Sequence, residues 1–345
     1  NDTHFGCRND SPAFIEYQNK FYNDLFFPYV EQHNIKTLIH LGDVVDRRKF
    51  INHNTAHNFK KVFFNRLEEL DIDTHIIIGN HDTYYKNTNE VNAMQNLNIN
   101  KNAKVYTRTT QVEFDGLPIL FIPWICDDNE TESVKTIENC TSPIAMGHLE
   151  VKGFEMHNGH YNDHGQEKVM FKRFEKVLSG HFHVSSEDGN IMYLGSQMEF
   201  FWNDAHDPKG FHVLDTKSRE LIKIPNPHTL FYRIIYDDSK TDYTSYDFTP
   251  VDKKFVKVVV VNKKDTYTFD RFIDRIQDQD ILELKIAENF NEFLGENVED
   301  NEISVDDTST LLYTYIDAVD TDLDKDRIKK QVSNLMTEAQ ALEVA

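Results

Sequence analysis

Apolar positions along the chain alternate between two rhythms. Behind Ser11-Pro12, an N-cap followed by proline at the first helical position, Phe14, Ile15, Tyr22, Leu25, Phe26 and Val30 form a helical stripe. A strand over 37–41 follows, then a helix over about 53–70 and a strand over 74–78. Strand, helix, strand at this spacing predicts parallel βαβ units. Residues 112–124 predict two strands joined by Asp115-Gly116, a hairpin signal. Between 193 and 236, short strands and turns such as Asn226-Pro227 predict the second sheet of a sandwich with helices outside. A polar stretch over 237–242 then reads as a linker. The strand 255–261, the amphipathic helix 269–276 and the strand 281–286 predict a small α/β cap. An acidic stretch over 288–307 reads as a loop or linker, and a last helix runs over about 324–342. The expected fold class is α/β, an α+β sandwich, with domains at 1–237, 238–290 and 291–345.

Most of the strand-like runs end in polar motifs. Asp2-Thr3-His4, Gly42-Asp43-Val44-Val45-Asp46-Arg47, Gly79-Asn80-His81-Asp82, Gly147-His148 and Gly180-His181-Phe182-His183 occur in this order. Leu38-Ile39-His40-Leu41 precedes Asp43, and Ile76-Ile77-Ile78 precedes Asn80. Ile144-Ala145-Met146 precedes His148, and Val177-Leu178 precedes His181. Side chains at the carboxyl ends of neighbouring strands converge on one point in an α/β sheet. Asp43, as a carboxylate, has an oxygen for each of two cations, which an imidazole lacks. Mixed nitrogen and oxygen ligands, four of them histidines, suit Mn, Fe or Zn better than Mg, and Mn²⁺ is the expected ion. Two metal ions a few ångströms apart clamp the attacking and leaving oxygens of a phosphoryl displacement. The motifs therefore predict a two-metal phosphoesterase.

The same motifs, with Tyr193-Leu194-Gly195-Ser196 and Lys209-Gly210-Phe211 more weakly, resemble the calcineurin-like metallophosphoesterases. Within them the chain is most similar to the nuclease subunits of SbcC/SbcD-type recombination complexes, including those of T-even-like bacteriophages. The resemblance implies a two-sheet metallophosphoesterase core flanked by helices, a cap domain facing DNA and a C-terminal helix. It implies that Asp2, His4, Asp43 and His183 hold one ion, and Asp43, Asn80, His148 and His181 the other. His81 would protonate the leaving oxygen or stabilise the phosphate. Asp46 stands where many cellular SbcD-type nucleases have histidine. In the related protein phosphatases an aspartate there orients the catalytic histidine, and a carboxylate would hold its tautomer. Arg47 is a candidate phosphate contact.

The partners implied are DNA, as double-stranded ends and single strands, and an SbcC-type SMC-like ATPase bound through the C-terminal helix. The nuclease would be a homodimer within a heterotetramer. The phosphodiester substrate comes from the resemblance alone, because the same ligands serve monoesterases. A phosphatase of the same fold is thus one alternative, and a non-catalytic scaffold another. Arg48, where the phosphatases carry glycine, and Asp82, where they carry glutamate, weigh against the first. The full ligand set weighs against the second. In the last helix, Ile328, Val332, Leu335, Met336, Ala339 and Leu342 line up as one stripe, with Lys325, Arg327, Lys329 and Lys330 on its polar face.

Charge qualifies this reading. The 345 residues carry a formal net charge of −21, whereas affinity for nucleic acid rests on phosphate neutralisation by Lys and Arg. Local cations at Arg47-Arg48-Lys49, Lys60-Lys61 and Lys168 with Lys172-Arg173 are candidates for contact, or the partner supplies the grip. His157, His160 and His164 read as a substrate-facing loop, since Gly159 and Gly165 oppose a helix. Trp124 and Trp202 are expected to pack rather than stack on bases. Phe200, Phe201 and Trp202 together read alternatively as an exposed aromatic wedge. Three cysteines without redox or zinc spacing indicate a reducing cytoplasm, that of a host cell for a phage protein. No apolar run is long enough to span a bilayer, and no signal-peptide pattern is present. A family member has a buried strand before its first ligand, so residues are expected to precede Asn1.

Overall fold

The computed structural model describes residues 1–97, 103–157, 160–205 and 207–287, and positions 325, 327–329 and 331. Asn1–Phe293 form one compact unit and Leu294–Ala345 another. In the second unit the described positions are helical. The acidic stretch, Asp324 and most of the stripe read as the last helix lie outside the described residues.

The first sheet is parallel, with β1 (Thr37–His40), β2 (Asp73–Ile77) and β3 (Lys104–Tyr106) in that order. The chain's first residues run alongside the segment after β1. The amides of Asp2, His4 and Phe5 donate to the carbonyls of Gly42, Asp43 and Val44 at 3.0, 3.1 and 2.9 Å. Two helical stretches cover the outer face of this sheet. One runs through Pro12–Phe21, a π-helical segment Tyr22–Phe26 and Phe27–Gln32. The other runs through His53–Phe59, a second π-helical segment Lys60–Phe64 and Asn65–Glu69. The wider π turns let consecutive aromatics face inward, Phe26 with Phe27 and Phe63 with Phe64, and all four are buried against Val44, Ile76 and Ile78.

The second sheet begins with the hairpin of β4 (Thr110–Phe114) and β5 (Leu117–Ile122). Asp115 and Gly116, at φ 51° and 83°, make the tight turn between them. β6 (Ile144–His148) follows parallel to β5. A small hairpin, β7 (Glu155–His157) with β8 (His160–Tyr161), leads on to β9 (Lys176–Gly180), β10 (Ser186–Asp188) and β11 (Ile191–Tyr193). The strand order is β10-β11-β9-β6-β5-β4. Ile119, Phe121, Ile144, Met146 and Leu178 of this sheet meet Leu41 and Ile77 of the first in one buried layer. The alternate residues Leu120, Ala145 and Val177 face the other way, onto Ile137 of the helix Glu130–Asn139 and onto Phe171 and Phe174. The result is helices, sheet, sheet, helix.

Two boundaries differ from the sequence reading. The second sheet comes from 110–193, not from 193–236. Its inner strands are buried on both faces and so read as plain apolar runs instead of alternating ones. Within 193–236, β12 (Gly210–Leu214) and β13 (Leu221–Pro225) form a separate antiparallel pair. β14 (Phe231–Asp237) pairs with β15 (Phe255–Asn262), which pairs with β16 (Glu283–Ala287), all parallel. The small sheet therefore starts at Phe231, ahead of the polar stretch read as a linker. That stretch is a strand-end turn: the Asp237 carboxylate accepts from the Ser239 amide at 3.1 Å and from Asn262 Nδ2 at 3.1 Å. The helix Thr266–Gln277 buries Phe269, Phe272, Ile273 and Ile276 against this sheet.

Candidate metal centre

Three tight turns bring the motifs to one place. The turn after β1 carries Gly42 and Asp43, and the turn after β2 carries Gly79 and Asn80. A Cβ on Gly79 would lie 2.1 Å from Asp43 Oδ1, and one on Gly42 would lie 2.6 Å from His148 Nδ1. Only glycine allows the two turns to touch. Asp82 locks them together. Its buried carboxylate accepts the amides of Asp43, Val44, Val45 and Gly79 at 2.9, 2.8, 3.2 and 3.0 Å. The third turn, after β9, carries His181, whose amide donates to both oxygens of Asp2 at 3.1 and 3.2 Å.

The side chains collect in two groups. Ligand atoms of Asp2, His4 and His183 lie within 4.8 Å of one another, and so do those of Asp43, His148 and His181. Asn80 joins the second group, its Oδ1 2.9 Å from His148 Nε2. Asp43 stands between the groups: its Oδ2 is 3.2 Å from His148 Nε2 and 3.7 Å from His4 Nε2. His183 Nε2 and His4 Nε2 face each other at 3.1 Å. Carboxylate oxygens, an amide oxygen and imidazole nitrogens from separate turns converge here, the mixed oxygen and nitrogen donor set that divalent transition-metal sites use. The residues present fit two divalent ions.

The imidazoles are prepared for this role. The carbonyl of Leu41 accepts from His148 Nδ1 at 2.8 Å, which fixes the tautomer and aims Nε2 at Asp43 and Asn80. Burial lowers the pKa of His181 to about 3 and that of His183 well below the ordinary value, so both are neutral donors at neutral pH. His148 is raised: burial opposes its charge, but Asp43 outweighs that. Burial also opposes ionisation of Asp43, yet His148, His81 and His4 hold its pKa well below the usual carboxylate value. Asp2, His4, Asp43 and His181 all sit at positive φ, 51°, 43°, 54° and 87°. Such backbone costs roughly 1–3 kcal/mol per residue and persists where the surroundings impose it, as at functional sites.

His81 lies at the rim and is half-buried. Its amide donates to Asp43 Oδ1 at 2.9 Å, so its backbone rests on the carboxylate that stands between the two groups. The ring stands edge-on to His4 with centroids 4.9 Å apart. Its Nδ1 is 2.5 Å from the main-chain carbonyl oxygen of Asp46. Asp46 thus contributes an orienting contact to His81 through its backbone. Its carboxylate lies 3.5 Å from His4 Nδ1, an outer partner of a ligand. Arg47 pairs with Asp10 and stacks over Phe50 at 4.5 Å.

Residues 1–185 match the calcineurin-like phosphoesterase family. The chain belongs to that family. It is 33% identical over 316 residues to exonuclease subunit 1 of Enterobacteria phage T4, covering 90% of each chain. It is also 21% identical over 191 residues to the SbcD subunit of the SbcCD nuclease of Staphylococcus saprophyticus, covering 53% of this chain and 46% of that one. As a calcineurin-like phosphoesterase it is a metal-binding hydrolase.

Several surrounding residues fall differently from the sequence reading. Phe200 and Trp202 are buried, not an exposed wedge. Phe200 packs on the rings of His4 and His183 at 5.4 and 5.3 Å, and Trp202 packs on Phe231 at 4.8 Å. An aromatic run among polar residues does not reveal that it fills the junction between core and cap. Trp124 packs against His181, with centroids 5.3 Å apart. Arg173 donates to the carbonyls of Ile137 and Glu138 at 2.7 Å, capping a helix end rather than offering a basic patch. His157 and His160 pair across the β7–β8 hairpin, with side chains outside the described residues, and His164 is exposed.

Sequence reasoning missed Asp82 and Lys209. Lys209 is buried and donates to the carbonyl of His183 at 2.7 Å and to Asp204 and Asp207 at 2.7 and 2.8 Å. Burial would lower its pKa, but the two carboxylates raise it. The signal for both residues was their place inside motifs, Gly-Asn-His-Asp and Lys-Gly-Phe.

Proposed function

We propose that this chain is the nuclease subunit of a DNA recombination and repair complex, hydrolysing phosphodiester bonds with two divalent ions, Mn²⁺ in preference to Mg²⁺. The observation that carries the reading is the position of Asp43 between the two ligand groups, with His81 beside them. Asp2, His4, Asp43 and His183 would hold one ion, and Asp43, Asn80, His148 and His181 the other. Bound ions supply Lewis acidity and lower the pKa of water, contributions worth several kcal/mol. The protein supplies the rest. His81, its Nδ1 proton committed to the Asp46 carbonyl, presents Nε2, which in the imidazolium form would give its proton to the leaving oxygen and return to the neutral ring. Burial of the ligand cluster keeps water from competing for the phosphate oxygens.

Likeness to the phage exonuclease subunit, which continues beyond residue 185 along most of the chain, supports the proposed substrate and partners. The substrate is DNA, at double-stranded ends and on single strands. The partner is an SMC-like ATPase bound by the C-terminal segment, in a heterotetramer built on a nuclease homodimer in the cytoplasm. Among the described residues no helix is long and apolar enough to cross a membrane. The test is to strip metal, restore Mn²⁺ or Mg²⁺, and assay end-labelled DNA against a phosphomonoester, with and without the ATPase. Mn²⁺-dependent DNA cleavage is expected. Equal activity with Mg²⁺ counts against the Mn²⁺ assignment, and preference for the monoester counts for a phosphatase. Full ATPase binding after deletion of residues 324–345 would remove the C-terminal tether.

A further inference from the structure

We propose that Phe50, Tyr84 and Tyr85 form a stacking surface for unpaired nucleobases, so that the strand enters the metal centre single-stranded; this rests on the nuclease reading above. The three rings are 61%, 41% and 49% exposed and belong to none of the buried hydrophobic clusters, and together they gather apolar surface on two adjoining loops. They follow closely on the turns that carry the site. Phe50 comes four residues after Asp46, and Tyr84 three after His81.

Arg48 ties the two loops into one rim. Its Nε donates to the Thr83 carbonyl at 3.1 Å, and its Nη2 to Thr83 Oγ1 at 2.9 Å and to the Tyr85 carbonyl at 3.2 Å. The rings are braced rather than loose. The Arg47 guanidinium lies 4.5 Å over Phe50 and is itself held by Asp10. Tyr84 and Tyr85 meet edge-on at 4.8 Å.

Charge selects the occupant. On a chain of net charge −21, this rim carries Arg47-Arg48-Lys49 on one loop and Lys86 beside the tyrosines on the other. Aromatic faces interleaved with cations are how proteins hold single-stranded nucleic acid: the bases stack and the phosphates meet the cations. Paired bases hide their faces in the duplex, so the rim discriminates against intact double strands. A base stacked on this rim keeps the adjoining phosphate near His81.

The test compares binding of a short labelled oligothymidylate with its abasic counterpart, by fluorescence anisotropy in chelator. The wild-type protein is expected to bind the base-bearing strand about tenfold more tightly than the abasic one. Phe50→Ala and the double variant Tyr84→Ala/Tyr85→Ala should each bring that ratio towards unity, and Phe50→Tyr should keep it. An unchanged ratio in the alanine variants overturns the proposal. So does a change in self-association, read by light scattering, with the ratio unmoved, since the rim is then an interface between copies. Wild-type protein that cleaves DNA with Mn²⁺ yet shows no dependence on bases overturns the stacking surface alone. Wild-type protein that neither binds nor cleaves DNA overturns the nuclease reading with it.

Discussion

The Nδ1 of His81 meets the main-chain carbonyl oxygen of Asp46 at 2.5 Å. A carbonyl can only accept, so Nδ1 carries the proton and Nε2 is the atom left for chemistry. His81→Gln removes a proton donor and leaves every candidate ligand in place. It should lower turnover about 10²–10⁴-fold, the range for general acid catalysis, with metal affinity retained. Calorimetric titration of the variant with Mn²⁺ alongside steady-state cleavage checks this. Loss of metal binding would make His81 a ligand.

Because the orienting atom is main chain, Asp46→Asn should leave His81 in place. The Asp46 carboxylate is 3.5 Å from His4 Nδ1, the place of an outer partner to a candidate metal ligand. The variant should weaken one of the two ions by about 10–100-fold, as outer partners of metal ligands do. The pH–rate limb attributed to the proton donor should stay where it is. A shifted limb with unchanged metal affinity would return the carboxylate to His81.

The candidate ligand set was legible because strand-terminal polar residues interrupt apolar runs, and five such interruptions occur in order along the chain. The helices before β1 and β2 and the Asp115-Gly116 hairpin were legible for the same reason, since periodicity and turn chemistry are local. What was not legible is carried by the backbone. Asp and His take positive φ more readily than most residues, but the sequence does not say that Asp2, His4, Asp43 and His181 in particular do so. The carbonyl of Asp46 is chemically anonymous in a sequence, and so are the four amides gathered by Asp82. Nor can a polar turn such as 237–242 say whether it separates domains or joins two strands of one sheet.

Proton competition should separate the two ions. Metal binding needs neutral imidazoles, so a ligand with a raised pKa gives up its ion first as pH falls. Asp43 raises His148, whereas burial holds His181 at about 3 and His183 well below the ordinary value. The ion proposed for Asp43, Asn80, His148 and His181 should therefore weaken below the raised pKa of His148. The loss is at most tenfold per pH unit from that one proton, while the other ion is held longer at His183. Mn²⁺ titrations across mildly acidic pH should show two affinities diverging. His148→Ala should remove the pH-sensitive one, and Asp43→Ala should lose both.

Asp82 makes the strongest stability prediction, because it touches no candidate ion and no substrate. Its carboxylate satisfies four buried amides from two turns, and burial, followed by the neighbouring charge of Asp43, raises its pKa to about 6. Asp82→Ala strands those amides without acceptors, at about 1–3 kcal/mol for each group that water cannot reach. Relaxation will rescue some of them, so a total loss above about 3 kcal/mol is expected for metal-free protein, read by urea unfolding. Affinity for both ions should fall as well, since Asp43 and Asn80 ride on the turns that Asp82 joins. Asp82→Asn is the sharper variant: it keeps the size and one acceptor oxygen but points an NH₂ group at amides that can only donate. It should therefore fail to restore most of the loss. Unfolding of Asp82→Ala within about 1 kcal/mol of wild type would mean that the two turns hold their shape without the carboxylate, and that glycine contact alone brings the site together.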